Sequence, residues 1–164
     1  MPKTQKKRKQ QRRTSYKKRL GMLKSGKDRI AIRKSNNYIL IQLITSNEAK
    51  DKVLINVNSK ELIKNGWPKE LEGSLKSVSA AYLTGYLFGK KLLEKKKDSK
   101  VILDLGLQRN VHGNRLYAAL NGIVDSGVEI AHDKKVFPSE DRVNGKHLKE
   151  NVQKIIKTVM EKIK

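Results

Sequence analysis

The first 27 residues hold 12 Lys or Arg and no Asp or Glu. Lys3 opens the run, and Lys6, Lys7, Arg8, Lys9, Arg12, Arg13, Lys17, Lys18, Arg19, Lys24 and Lys27 continue it, interrupted by Gln5, Gln10, Gln11, Thr14, Ser15 and Tyr16. Cations at this density displace counterions from a dense array of phosphates. The interrupting amides and hydroxyls can donate hydrogen bonds, and Tyr16 offers a ring on which an unpaired base can stack, a mixture suited to RNA rather than to a featureless polyanion. Met1, Tyr16, Leu20, Met22 and Leu23 are the only sizeable apolar side chains here. They offer too little burial to offset the roughly 1–2 kcal/mol that ordering each backbone residue costs. The arm is therefore expected to stay extended through self-repulsion until a polyanion neutralises it. A membrane surface is the competing target, but the arm lacks an apolar helical face with Trp, Phe or Leu.

Other residues could do different chemistry. Asp104, Asp125, His112 and His132 are the candidates for metal-assisted or acid–base work. A metal-dependent nuclease wants two or three convergent carboxylates, which this spacing does not suggest. Asp104 fits a hydrogen-bonding role or pairing with a base about as well as metal binding. His112 has no Ser, Cys or acid at a suggestive interval, and a phosphate or ribose contact suits it better than general-base work. His112, Asn114 and Arg115 together form a second candidate patch, because a helix start offers free N–H groups to a phosphate; Asn114 is equally suited to cap that helix. No GxxxxGK[ST], GxGxxG or HExxH pattern is present, and the absence of cysteine excludes disulfides, thiolate zinc sites and a Cys nucleophile. No catalytic residue, metal, cofactor or small-molecule substrate is nominated.

These groups must be held by a small body. A chain of 164 residues with 37% hydrophobic side chains supports one compact domain with tails. The formal net charge is +22, of which the arm carries 12, leaving +10 on residues 28–164; body and arm are expected to face the same polyanion. No run approaches the roughly 20 apolar residues of a membrane span, and no apolar segment follows the basic start as in a secretory signal.

Alternation predicts strands over 29–34, 38–45 and 52–58, joined by a tight turn at Ser35-Asn36-Asn37, whose Asn residues tolerate positive φ, and by a loop at 46–51. In the first strand Arg29, Ala31 and Arg33 share one face, which is expected to present cations. Residues 59–73 connect onward through Asn65-Gly66-Trp67-Pro68; Trp67 either stacks on a base or, the favoured reading, plugs the core edge. Residues 77–96 read as a helix with Ala81, Gly85 and Gly89 in a line that lets its backbone approach another element closely. The apolar run 100–105 predicts a central strand covered on both sides. A loop at 106–113, a helix at 114–126 stopped by Gly127, and a short strand at 128–130 follow. This order implies parallel crossovers added to the antiparallel strands. After Phe137-Pro138-Ser139-Glu140, a turn or helix start, residues 146–164 form an amphipathic helix that packs on the body or on a partner.

The residues also carry a resemblance. Arg12-Arg13-Thr14-Ser15-Tyr16-Lys17-Lys18-Arg19-Leu20, then Leu23-Lys24-Ser25-Gly26-Lys27, then Ile32-Arg33-Lys34-Ser35-Asn36 resemble the archaeal and eukaryotic branch of universal large-subunit ribosomal protein eighteen, a family that binds 5S rRNA. The likeness continues in Ala80-Ala81-Tyr82-Leu83-Thr84-Gly85, Ile102-Leu103-Asp104-Leu105-Gly106-Leu107, Gly113-Asn114-Arg115-Leu116-Tyr117-Ala118-Ala119-Leu120, and Phe137-Pro138 with Arg142 and Gly145. Members often carry Thr-Pro before the first long helix; this chain has Lys76-Ser77-Val78-Ser79, so the resemblance does not fix that helix start.

The resemblance implies a single α/β domain of translational-machinery type with a mixed sheet, no catalytic activity, and a cytoplasmic place in the central protuberance of the large ribosomal subunit. It implies contact with 5S rRNA, large-subunit rRNA and neighbouring ribosomal proteins. It divides the chain into an RNA-binding arm (1–27), a 5S-rRNA-binding body (28–135) and a C-terminal extension (136–164). Carried onto matching positions, the family's RNA contacts fall on Arg12, Arg13, Tyr16, Lys17, Arg19, Lys24, Lys27, Arg33, Ser35 and Asn36. The rivals are a general nucleic-acid-binding or compacting protein and, less favoured, a metal-dependent nuclease.

Overall fold

The computed structural model describes residues 6–48, 50–96 and 100–163. The expectations for residues 1–5, Lys3 and Gln5 among them, for Ala49 within the 46–51 loop and for Lys164 lie outside these. Two short helices come first, α1 (Lys7–Gln10) and α2 (Tyr16–Lys24). Three antiparallel strands follow, β1 (Asp28–Lys34), β2 (Ile39–Asn47) and β3 (Lys50–Asn58). Two 3₁₀ segments, Ser59–Asn65 and Lys69–Ser74, lead to the long helix α3 (Val78–Lys95). Strand β4 (Val101–Asp104) and helix α4 (Arg115–Asp125) come next, then a 3₁₀ turn at Lys134–Val136 and helices α5 (Glu140–Val143) and α6 (Glu150–Ile163).

The sheet order is β3-β2-β1-β4, with β4 parallel to β1, so the sheet is mixed and the fold α/β. Alternation along each strand divides the sheet into two faces. Ile30 and Ile32, across from Leu43 and Ile41, join Ile55 and Val57 on the inner face, all 5% exposed or less, where α3 and α4 pack. The outer face carries Arg29, Ala31 and Arg33 beside Ile44, Gln42 and Leu40. Leu54 is the extra residue of a bulge opposite Leu43 and Ile44, which tightens the twist of β3.

The small-residue line of α3 works as its spacing implied. A Cβ at Gly85 would lie 2.0 Å from the Ala119 carbonyl oxygen, and one at Gly122 would lie 2.1 Å from that of Tyr82. The two backbones are therefore in contact, and Ala80, Ala81, Ala118 and Ala119 are buried around the crossing. Ser77 sets the start of α3, its Oγ accepting from Ala80 N–H at 3.2 Å. Trp67 fills the core edge at 2% exposure and donates Nε1–H to the Leu71 carbonyl, as the favoured reading had it. The last helix packs on the body, with Ile156, Val159 and Ile163 buried against α3 and the 59–65 segment.

Four expectations need correction. The run 100–105 is an edge strand, not a central one, and Ile102 and Leu103 are only half-buried; its apolar outer positions floor a cleft beneath the arm. Residues 128–130 form no strand: Val128 and Ile130 bury their side chains, but among the described residues no ladder joins them to the sheet. The turn after β1 contains no positive φ; Ser35 organises it, donating Oγ–H to the Tyr38 carbonyl and accepting from the Asn37 and Tyr38 N–H groups. The arm is helical over 7–10 and 16–24 where extended backbone was expected. Lys, Arg and Leu are good helix formers, Ser15 Oγ accepts from Lys18 N–H, and Ser25 bonds the Met22 carbonyl at the other end.

Candidate nucleic-acid interface

Neither arm helix buries a residue, so something other than a core must hold the arm in place. On the outer sheet face Arg29 donates Nη2–H to Asp51 Oδ1 at 2.8 Å, and Arg19, from α2, donates to the other oxygen of the same carboxylate at 2.7 Å. Ser46 adds a hydroxyl bond to Asp51 at 2.6 Å. Burial works against the charge of Asp51, but the Ser46 and Arg19 bonds and the Arg29 cation outweigh it and hold the carboxyl below the ordinary aspartate range. Asp51 is thus the clasp between arm and hairpin.

A second carboxylate completes the network. Asp104 accepts from Arg33 Nη2 and from Gly106 N–H, each at 2.8 Å, and lies 3.8 Å from Arg29 Nη1. With both oxygens engaged, Asp104 serves as a structural anchor. Among the described residues no group of three or more His, Cys, Asp or Glu converges as a metal site would require. Arg29, 3% exposed, is a buried member of this network rather than the free cation expected of its face; Arg33 keeps one edge exposed while bonded to Asp104.

Two checks follow. A double-mutant cycle of Arg19→Ala and Asp51→Asn is expected to give a coupling of about 0.5–1 kcal/mol, because both groups are about one-third exposed. Because the Asp51 carboxyl is held low, its contribution is complete above the unfolded aspartate value of about 3.9 and is lost as pH falls through the folded value. Backbone NMR of α2 should therefore show the arm releasing in acid, but not between pH 5 and 8. Asp104→Asn leaves an acceptor for Gly106 N–H and removes the charge facing Arg29 and Arg33. A loss of about 2 kcal/mol is expected, lowering the melting midpoint by about 4–8 °C.

The clasp sets the arm over β1 and β4. Arg8, Arg12, Arg13, Lys18 and Arg19 meet Arg29, Arg33 and the 102–108 segment around a cleft of about 1030 Å³. Arg12 turns the chain into it at φ +51°, and Arg8 donates Nε–H to Thr14 Oγ1 across that turn. Lys6, Lys7, Lys9, Lys17, Lys24 and Lys27 are exposed around the arm, and Lys6 Nζ stands 4.6 Å from the Tyr16 ring centroid. Ser35 is taken up by its turn and Asn36 is exposed beside it.

The second patch divides. Asn114 caps α4, its Oδ1 accepting from the Leu116 and Tyr117 N–H groups at 2.9 and 3.0 Å. Asn114 and Arg115 line another cleft of about 590 Å³, and His112 is exposed outside its lining. Sequence reasoning missed Lys34, Gln108, Arg109 and Arg142 in that lining, and Gln108, Asn110 and Tyr117 in the larger cleft. Gln108 and Arg109 follow the apolar run directly, a position where loops carry function; nothing local marked Arg142.

Fold and interface together define a class: a basic α/β protein with a mixed four-stranded sheet, two helices on one face and a cationic arm clasped over the other. A family model described as "Ribosomal large subunit proteins 60S L5, and 50S L18" matches residues 2–101 and 94–133, and the chain belongs to this family. A protein of Methanococcoides burtonii named large ribosomal subunit protein uL18 is 43% identical over 161 residues, covering 95% of this chain and 90% of the relative. Proteins of the same name are similar in Korarchaeum cryptofilum, 40% identical over 148 residues with 90% and 73% covered, and in Methanosphaera stadtmanae, 39% identical over 146 residues with 89% and 73% covered. The family is a ribosomal structural one, not an enzyme class. Among the described residues no helix is long and apolar enough to cross a membrane.

Proposed function

We propose that this chain is a structural constituent of the large ribosomal subunit, in the cytoplasm, that binds 5S rRNA and helps attach it to the large rRNA in the central protuberance, with neighbouring ribosomal proteins as further partners and no catalysis of its own. The observation that carries the reading is the clasped arm: exposed cations are gathered over one sheet face, beside a body that is itself basic. In this reading residues 1–27 bind RNA, residues 28–135 select it, and residues 136–164 extend the body. Lys6, Lys7, Arg8, Lys9, Arg12, Arg13, Lys17, Lys18, Lys24 and Lys27 contact phosphates, giving affinity and salt dependence. Arg19, Arg33, Ser35, Asn36 and Tyr16 meet RNA at the edge of the body, and Arg29 positions the clasp beneath them. Recognition of one RNA among many comes from its shape and from unpaired bases.

Equilibrium binding of the full chain to 5S rRNA, transfer RNA and duplex DNA at several salt concentrations tests this reading. A preference of at least tenfold for 5S rRNA at matched salt is expected. Equal affinity for all three would favour a general nucleic-acid binder instead.

A further inference from the structure

The cleft at the start of α4 has features that the arm does not explain. Four cations reach it from four separate segments: Lys34 at the end of β1, Arg109 in the loop after β4, Arg115 at the start of α4 and Arg142 in α5. Among the described residues none of the four stands in an ion pair. Asp141, next to Arg142 in sequence, is engaged by Lys146 instead. Gathering four uncompensated like charges into one concavity is unfavourable for the isolated fold, and an anionic ligand would relieve it. The floor is of another kind: Val111, 48% exposed, and the half-buried Val78 supply apolar surface, backed by the buried Leu116. A volume of about 590 Å³ falls within the roughly 300–1,000 Å³ of clefts that enclose small ligands. A duplex presents phosphates without an accessible base face, whereas a splayed-out nucleotide presents both.

We propose that this cleft is a second nucleic-acid site, which takes an unpaired RNA nucleotide with its base on the Val78, Val111 and Leu116 floor and its flanking phosphates on Arg109, Arg115 and Arg142. Gln108, whose side-chain amide donates to the Lys34 carbonyl, ties the loop bearing Arg109 to the end of β1. The proposal deepens the RNA-binding reading above and rests on it, but it concerns a surface separate from the arm.

The test uses the full chain, a labelled seven-nucleotide single-stranded RNA and a duplex RNA of equal length. Arg109→Gln with Arg142→Gln is expected to weaken single-strand binding at least tenfold and to leave duplex binding within twofold, because the arm meets the phosphates of both RNAs while only the single strand can seat a base in the cleft. The methyl NMR signals of Val78, Val111 and Leu116 should shift with the single strand and not with inorganic polyphosphate, which carries the charge without a base. Methyl shifts persist as a readout if the double variant is unstable. Equal loss on both RNAs, no loss on either, or the same methyl shifts with polyphosphate would overturn the proposal. Failure of the 5S preference in the wild-type chain, with single-strand binding still lost in the double variant, would refute the 5S-selective reading and leave this site standing.

Discussion

Deleting residues 1–27 is expected to leave a folded body whose affinity for RNA is about 10²–10³-fold lower at 0.15 M salt. The size follows from counterion release: each phosphate contact contributes a salt exponent of about 0.7–0.9, or a factor of about five at that concentration. If about four of the arm's 12 cations reach phosphates, the product is on the order of 10²–10³. The log–log salt slope should flatten by about 3–4 in the same experiment. The body survives because the arm helices bury no side chain and because Asp51 keeps Arg29 and Ser46 when Arg19 is gone. Circular dichroism should show a melting midpoint within a few degrees of the full chain, since an ion pair this exposed is worth about 0–1 kcal/mol. A truncated chain that bound as tightly as the full one would remove the arm from the interface.

Gly85→Ala is expected to be strongly destabilising, costing about 3 kcal/mol and lowering the melting midpoint by about 6–12 °C. The added Cβ would sit 2.0 Å from the Ala119 carbonyl oxygen and 2.8 Å from its carbon. No rotamer relieves that overlap, because both atoms belong to the α4 backbone, so the helices must part and the buried alanines around the crossing lose their contacts. The gain of roughly 1 kcal/mol in helix propensity is smaller than this loss. Gly21→Ala provides the control: its Cβ would meet nothing within 4 Å, and α2 should gain helicity. Equal melting midpoints for Gly85→Ala and the wild type, measured by calorimetry, would contradict the close crossing of α3 and α4.

That crossing was legible in the sequence because glycines at four-residue spacing inside a helix are unfavourable unless a neighbour needs the room. The same holds for the first three strands, where Ile30 and Ile32 alternate with Arg29 and Arg33, and for Trp67 beside its Gly-Pro turn. The failures share a different cause. An apolar run does not say whether both edges of a strand are paired, and β4 has β1 on one side only, with Ile102 and Leu103 half-buried beside the arm cleft. Val128 and Ile130 alternate like a strand because their side chains are buried, yet burial alone supplies no ladder. Arg29 reads as a surface cation until Asp51 and Asp104, 22 and 75 positions further on, are brought to it by the register of β3 and β4. Partners that distant leave no local signal. In the arm, like charge and scarce apolar side chains favour extension, whereas caps at Ser15 and Ser25 and the clasp at Asp51 favour a helix.

The most direct measurement is a structure of the assembled large subunit containing this chain. Ribosomal RNA is expected within hydrogen-bonding reach of Arg12, Arg13, Lys17 and Lys18, with 5S rRNA against the outer face of the sheet. Those four side chains facing bulk solvent or protein, with no RNA beside them, would contradict the assignment.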